Sequence, residues 1–137
     1  MTQLLTPTLI FRLLFKPNEA FNSLANTRPS AGSVFFGVAL WQILLPPLFA
    51  FIGSVNFGWR LGAGEPLILP RGTLALISLT YFALLLTGFF SSALISRWMS
   101  YEYDARHSVG IHFAMITIVG TPLVVGSMAH LYPHAFI

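Results

Sequence analysis

Three long stretches of this chain carry no Asp, Glu, Lys or Arg: Pro29 to Trp59, Gly72 to Ser96, and His107 to Ile137. A bilayer core of about 30 Å is crossed by about 20 mostly apolar helical residues, and each stretch exceeds that length. Only 8% of the residues are charged, whereas a soluble domain carries roughly 25%. A soluble surface requires those charges to stay in solution. With 55% hydrophobic residues and a mean hydropathy of +0.77, the chain reads as an integral membrane protein. The expected fold is all-α, a helical bundle with three transmembrane helices at about 33–55, 72–96 and 108–131. That leaves too little chain for a separate soluble domain.

The net charge of +3 and pI near 9.8 do not point to nucleic acid. The seven basic residues are scattered and form no stripe able to follow a phosphate backbone. They read instead as orientation signals. Arg12, Lys16, Arg28, Arg97 and Arg106 fall on one side of the expected spans, and Arg60 and Arg71 on the other. A cytoplasmic N-terminus is expected. Cysteine is absent, which excludes disulfides and thiolate metal sites. The apolar run 9–15 is interrupted by Arg12 and has neither a basic leader nor a small-residue cleavage site, so no cleavable signal peptide is expected.

Residues 7–26 are apolar in places but too broken to span. Pro17 suits a first helical turn, with Asn18 and Glu19 following where negative charge favours the helix dipole. Ala20, Phe21 and Leu24 share one face. An interfacial helix lying on the membrane is expected here, or a helix packed against the bundle ends.

The first span contains Pro46 and Pro47 side by side. They remove the hydrogen bonds to the carbonyls of Gln42 and Ile43, so a kinked span is expected, with a re-entrant hairpin as the alternative. Gln42 is the one amide in this apolar run. Its expected role is an interhelical hydrogen bond; a polar path is the functional alternative. In the second span Gly88, Ser92 and Ser96 recur every fourth position, a small-residue stripe suited to close helix packing. The third span carries a flexible break at Gly120-Thr121-Pro122, so Pro122 is a third expected kink. His112 lies in its first turns, and an ionisable group inside a membrane is a functional candidate.

Other constellations are weak. Gly58, Gly62 and Gly64 lack the Lys-Ser/Thr ending of a phosphate loop and follow no strand. The segment 97–107 is expected as a polar loop with an aromatic belt formed by Trp98, Tyr101 and Tyr103, and Glu102 and Asp104 as ion-paired turn residues. His130 and His134 have zinc-like spacing, but Pro133 lies between them and no third ligand is evident. No cofactor, metal or catalytic residue is expected.

Three stretches together resemble the Yip family of multi-spanning membrane proteins, especially its bacterial inner-membrane branch. They are "KPNEAFNSL" (16–24), "LPPLFAFIGSVNFGW" (45–59) and "GTPLVVGSMAHLYP" (120–133). The resemblance covers most of the chain as a single domain, 1–137. It implies a helical bundle whose eukaryotic relatives act in vesicle trafficking and membrane shaping, partly by binding Rab GTPases. That partner does not carry over to bacteria. The family's cytosolic DLYGP motif is absent here, and family members usually have about five spans, so this chain is expected to lack the last two. Together these features predict a non-enzymatic scaffold or membrane-shaping protein of the bacterial inner membrane. Its expected partners are the lipid bilayer and other membrane proteins or further copies of itself, with no specific ligand. The alternative is a subunit of an oligomeric small-solute transporter or channel.

Overall fold

The computed structural model describes residues 16, 18, 19, 22, 26, 28–60, 64–104 and 107–133. The fold is all-α. Among the described residues three helices are long and apolar enough to cross a membrane: α1 (Ala31–Phe57), α2 (Arg71–Glu102) and α3 (Val109–Leu131). In hydrocarbon every backbone N–H and C=O must find its partner within the protein, which is why uncharged runs of this length become helices. Among the described residues there is no strand. The interfacial segment expected over 7–26 lies almost wholly outside them; within it Asn18, Glu19, Asn22 and Asn26 are helical and exposed.

α1 starts at Ser30, whose hydroxyl accepts the Ser33 N–H at 3.2 Å while Ser33 Oγ bonds back to the Ser30 carbonyl at 2.9 Å. Such a cap satisfies one of the first-turn donors. Phe35–Ala39 is a π-helical stretch, and an α-helix then continues from Leu40 to Phe57 straight through Pro46 and Pro47. No turn interrupts the segment, so the hairpin alternative is set aside. Both prolines are buried. Gly58, at φ +67°, then turns the chain out of the helix, and a reciprocal pair of hydrogen bonds joins Trp59 to Leu67 at 2.7 and 3.0 Å.

α2 has 32 residues, about 48 Å of helix at ~1.5 Å per residue. The loop expected from Arg97 is therefore corrected. Nothing in "RWMSYE" breaks a helix, and Arg97 reaches Tyr101, one turn on, through both a 3.2 Å hydrogen bond and its ring face. The helix ends at Glu102, and Asp104 takes the left-handed conformation at φ +52°. α3 is equally uninterrupted at Gly120-Thr121-Pro122. It is α-helical from Val109 to Gly126 and closes with a 3₁₀ turn, Ser127–Leu131. The flexible break read from sequence is not a break in the helix.

Packing divides the chain into two compact units. The first comprises Met1–Gln42 and Thr87–Thr121, the second Ile43–Leu86 and Pro122–Ile137. The divisions fall one turn before Pro46 on α1, beside Gly88 on α2, and between Thr121 and Pro122 on α3.

In the first unit an aromatic cluster joins all three helices. Phe35 lies 5.3 Å from Phe90, and Phe113 lies 5.2 Å from Phe89 and 5.5 Å from Phe90, in tilted and edge-on arrangements. Val34, Ala39, Ala93 and Ala114 are buried around it. Gly110 meets the Pro29 carbonyl so closely that a side chain there would overlap it. In the second unit Gly53 meets the backbone carbonyl of His130 in the same way, and Phe57 packs edge-on against Tyr132 at 5.1 Å.

Candidate functional site

The polar side chains inside the spans decide what this protein can do chemically, because the bilayer offers them no water. In the first unit α2 carries Ser96 on the face that meets α3, and α3 carries His112 one turn after its start. Ser96 Oγ and His112 Nδ1 are 3.0 Å apart. His112 is 3% exposed. When the serine hydroxyl donates to Nδ1, Nε2 carries the ring proton; in the other tautomer Nδ1–H donates and Nε2 is an acceptor. Either way Nε2 is buried without a hydrogen-bond partner among the described residues, as is Nε of the neighbouring Arg97.

In a hydrolytic triad a third group on the opposite ring nitrogen holds the histidine base in its tautomer. Among the described residues none bonds that nitrogen, and what the structure shows is an interhelical Ser–His hydrogen bond.

The second polar contact joins α1 and α3. Gln42 Nε2 donates to Thr121 Oγ1 at 3.0 Å. Thr121 Oγ1 in turn donates to the Thr117 carbonyl at 3.0 Å, and Thr117 Oγ1 to the Phe113 carbonyl at 2.8 Å. The two threonines are one turn apart on the buried face of α3, so a single hydroxyl both satisfies a backbone carbonyl and receives the glutamine amide. Sequence reading singled out Gln42 and His112 but found neither partner. Thr117 and Thr121, spaced i, i+4 in an apolar run, were the available signal.

Gly88 and Ser92 are exposed on α2, and a Cβ built on Gly88 meets no neighbour within 4 Å. Among the described residues nothing meets a Cβ at Gly88, and Ser96 is the member of the stripe that bonds to another helix. Pro122 is exposed on α3. In the second unit His130 Nδ1 donates to the Ser127 carbonyl at 3.0 Å, and its ring stands edge-on to Tyr81 at 6.3 Å. His134 lies outside the described residues. Among the described residues no three His, Asp or Glu side chains gather as a metal site.

The family model for the Yip1 domain matches residues 11–137. The chain belongs to the Yip1 domain family. This Yip1-domain chain is 29% identical over 94 residues to inner membrane protein YohC of Escherichia coli strain K12. The same figures hold for YohC of Escherichia coli O6:H1. The aligned region covers 69% of this chain and 48% of the relative, so the chain spans about half the length of the curated relatives it matches. No solved structure matches it.

Proposed function

We propose that this Yip1-domain chain is a non-enzymatic scaffold or membrane-shaping protein of a bacterial inner membrane, with its N-terminus on the cytoplasmic side. The observation that carries the reading is the use made of polar groups inside the spans. Gln42 is bonded to Thr121, Ser96 to His112, and the hydroxyls of Ser54, Thr117 and Ser127 to carbonyls of their own helices. The Gln42–Thr121 and Ser96–His112 bonds tie helices together, and the other hydroxyls are satisfied within their own helices; a solute path needs polar groups directed at a lumen. The location follows the YohC relatives, and the orientation follows the excess of Lys and Arg on the N-terminal side. In this role its partners are the lipid bilayer and other membrane helices, further copies of itself included; the open Gly88 and Ser92 face of α2 supports helix association.

One observation favours the transporter alternative: an imidazole nitrogen inside a span that has no partner among the described residues. Reconstitution in sealed vesicles separates the two. The scaffold reading expects no protein-dependent solute flux, and altered vesicle diameter or tubulation by electron microscopy as protein density rises. Flux that depends on the protein and falls with Gln42→Ala or His112→Ala overturns it.

A further inference from the structure

The second unit contains an apolar crevice. Its walls are Ala50 and Ser54 of α1 and Leu74, Ile77 and Ser78 of α2, and its lip is the connecting loop with Trp59, Leu67 and Leu69. Ala50 and Ser54 are one turn apart, as are Leu74 and Ser78, so each helix offers one face. Ser54 presents little polarity, because its hydroxyl bonds back to the Ala50 carbonyl at 2.6 Å. The lip is held in place. Trp59 and Leu67 exchange two backbone hydrogen bonds, and residues so paired put their side chains on one side. Gly58 makes this return possible: a Cβ there would lie 3.0 Å from the Leu67 carbonyl.

The cavity is about 180 Å³, smaller than the roughly 300–1,000 Å³ of small-molecule sites, so it suits part of one chain rather than a whole compact ligand. Arg71 lies in sequence between the lining residues Leu69 and Leu74. It is exposed and falls one turn before Leu74 on the same face of α2. The described charges of this loop and helix start are Arg60 and Arg71 against Glu65, a net positive balance beside an apolar slot. Trp59 is a residue type favoured at headgroup level.

We propose that this crevice binds one acyl chain of an anionic phospholipid, with Arg71 taking the headgroup phosphate. In a bilayer the tail gains no hydrophobic energy on leaving other tails, so the crevice contributes only van der Waals contact and shape. Selectivity therefore comes from the charge, and a basic residue at this level gives a preference of about five-fold. This site is independent of the scaffold reading.

Trp59 reports on the crevice it lines. The chain has three tryptophans; Trp41 and Trp98 are 60% and 66% exposed and are removed so that only Trp59, 36% exposed at the lip, is read. In the Trp41→Phe/Trp98→Phe protein, reconstituted in phosphatidylcholine vesicles, brominated-chain phosphatidylglycerol is expected to quench Trp59 about five-fold more effectively per mole fraction than brominated-chain phosphatidylcholine. Arg71→Gln removes that difference, and Ser78→Phe, which fills the slot, removes the excess quenching. Equal quenching by the two lipids overturns the proposal, as does a preference that survives Arg71→Gln. Absence of quenching by either lipid means that protein occupies the slot, which overturns it equally. Circular dichroism identifies a Ser78→Phe protein that has not folded; the exposed Arg71→Gln variant then decides the result.

Discussion

Ser96 of α2 and His112 of α3 are joined at 3.0 Å, with the His112 ring 3% exposed. Hydrogen bonds of this kind between membrane helices contribute about 0.6 kcal/mol on average and up to ~1.7, because a chain unfolded within the membrane also finds partners. A double-mutant cycle of Ser96→Ala and His112→Ala, read by reversible denaturation in micelles, is expected to give a coupling within that range. Zero coupling sinks the pairing, since each single change would then act through something else.

Gly53, Gly110 and Gly88 are all helical glycines, yet they predict opposite outcomes. A methyl group at Gly53 overlaps the His130 carbonyl, and one at Gly110 overlaps the Pro29 carbonyl, both backbone atoms with little freedom to move. Gly53→Ala and Gly110→Ala are expected to destabilise by about 1–3 kcal/mol or to prevent folding. Gly88 has open space around it, so Gly88→Ala is expected to be neutral or to stabilise the isolated chain by up to ~1 kcal/mol through helix propensity. Thermal melts of the three variants in one detergent give the order directly.

The Gln42 and Thr121 bond makes a separate prediction. Gln42→Ala leaves Thr121 its own carbonyl partner, so no buried hydroxyl is stranded, and the expected loss is about 1 kcal/mol. Thr121→Val strands the Gln42 amide in an apolar setting and should cost more, about 1–3 kcal/mol. Equal losses would mean that the amide finds another partner once Thr121 is gone.

The absence of cysteine provides a clean background for topology. Ser30→Cys, Gly64→Cys and Ser100→Cys, made singly, place a thiol before α1, between α1 and α2, and near the end of α2, all outside the spans expected at 33–55, 72–96 and 108–131. A membrane-impermeant reagent is expected to label position 64 in intact cells, and positions 30 and 100 only after lysis. Labelling of 30 and 64 from the same side would contradict a spanning α1.

The three helices and their approximate limits were legible in sequence, since one-dimensional hydropathy is enough to say that a 25-residue uncharged run cannot stay in water. Legibility failed at two places. The end of α2 was read at Arg97 because charge and aromatics reappear there, but the helix continues to Glu102: leaving the hydrocarbon does not end a helix, only a breaker does. The third-span break at Gly120-Thr121-Pro122 was read from residue type, yet α3 runs through it. A membrane helix tolerates proline when its surroundings satisfy the freed carbonyl.

By itself, the sequence determined that this chain carries three long uncharged runs able to cross a membrane, because charge burial in lipid is costly wherever the helix points. Only the tertiary structure decided that His112 meets Ser96, that Gln42 meets Thr121, and that Gly53 and Gly110 touch a neighbouring backbone where Gly88 does not. Those outcomes depend on how far each helix is rotated about its own axis. A nearly uniform apolar helix carries no amphipathic face to encode that rotation, so it is set by packing alone.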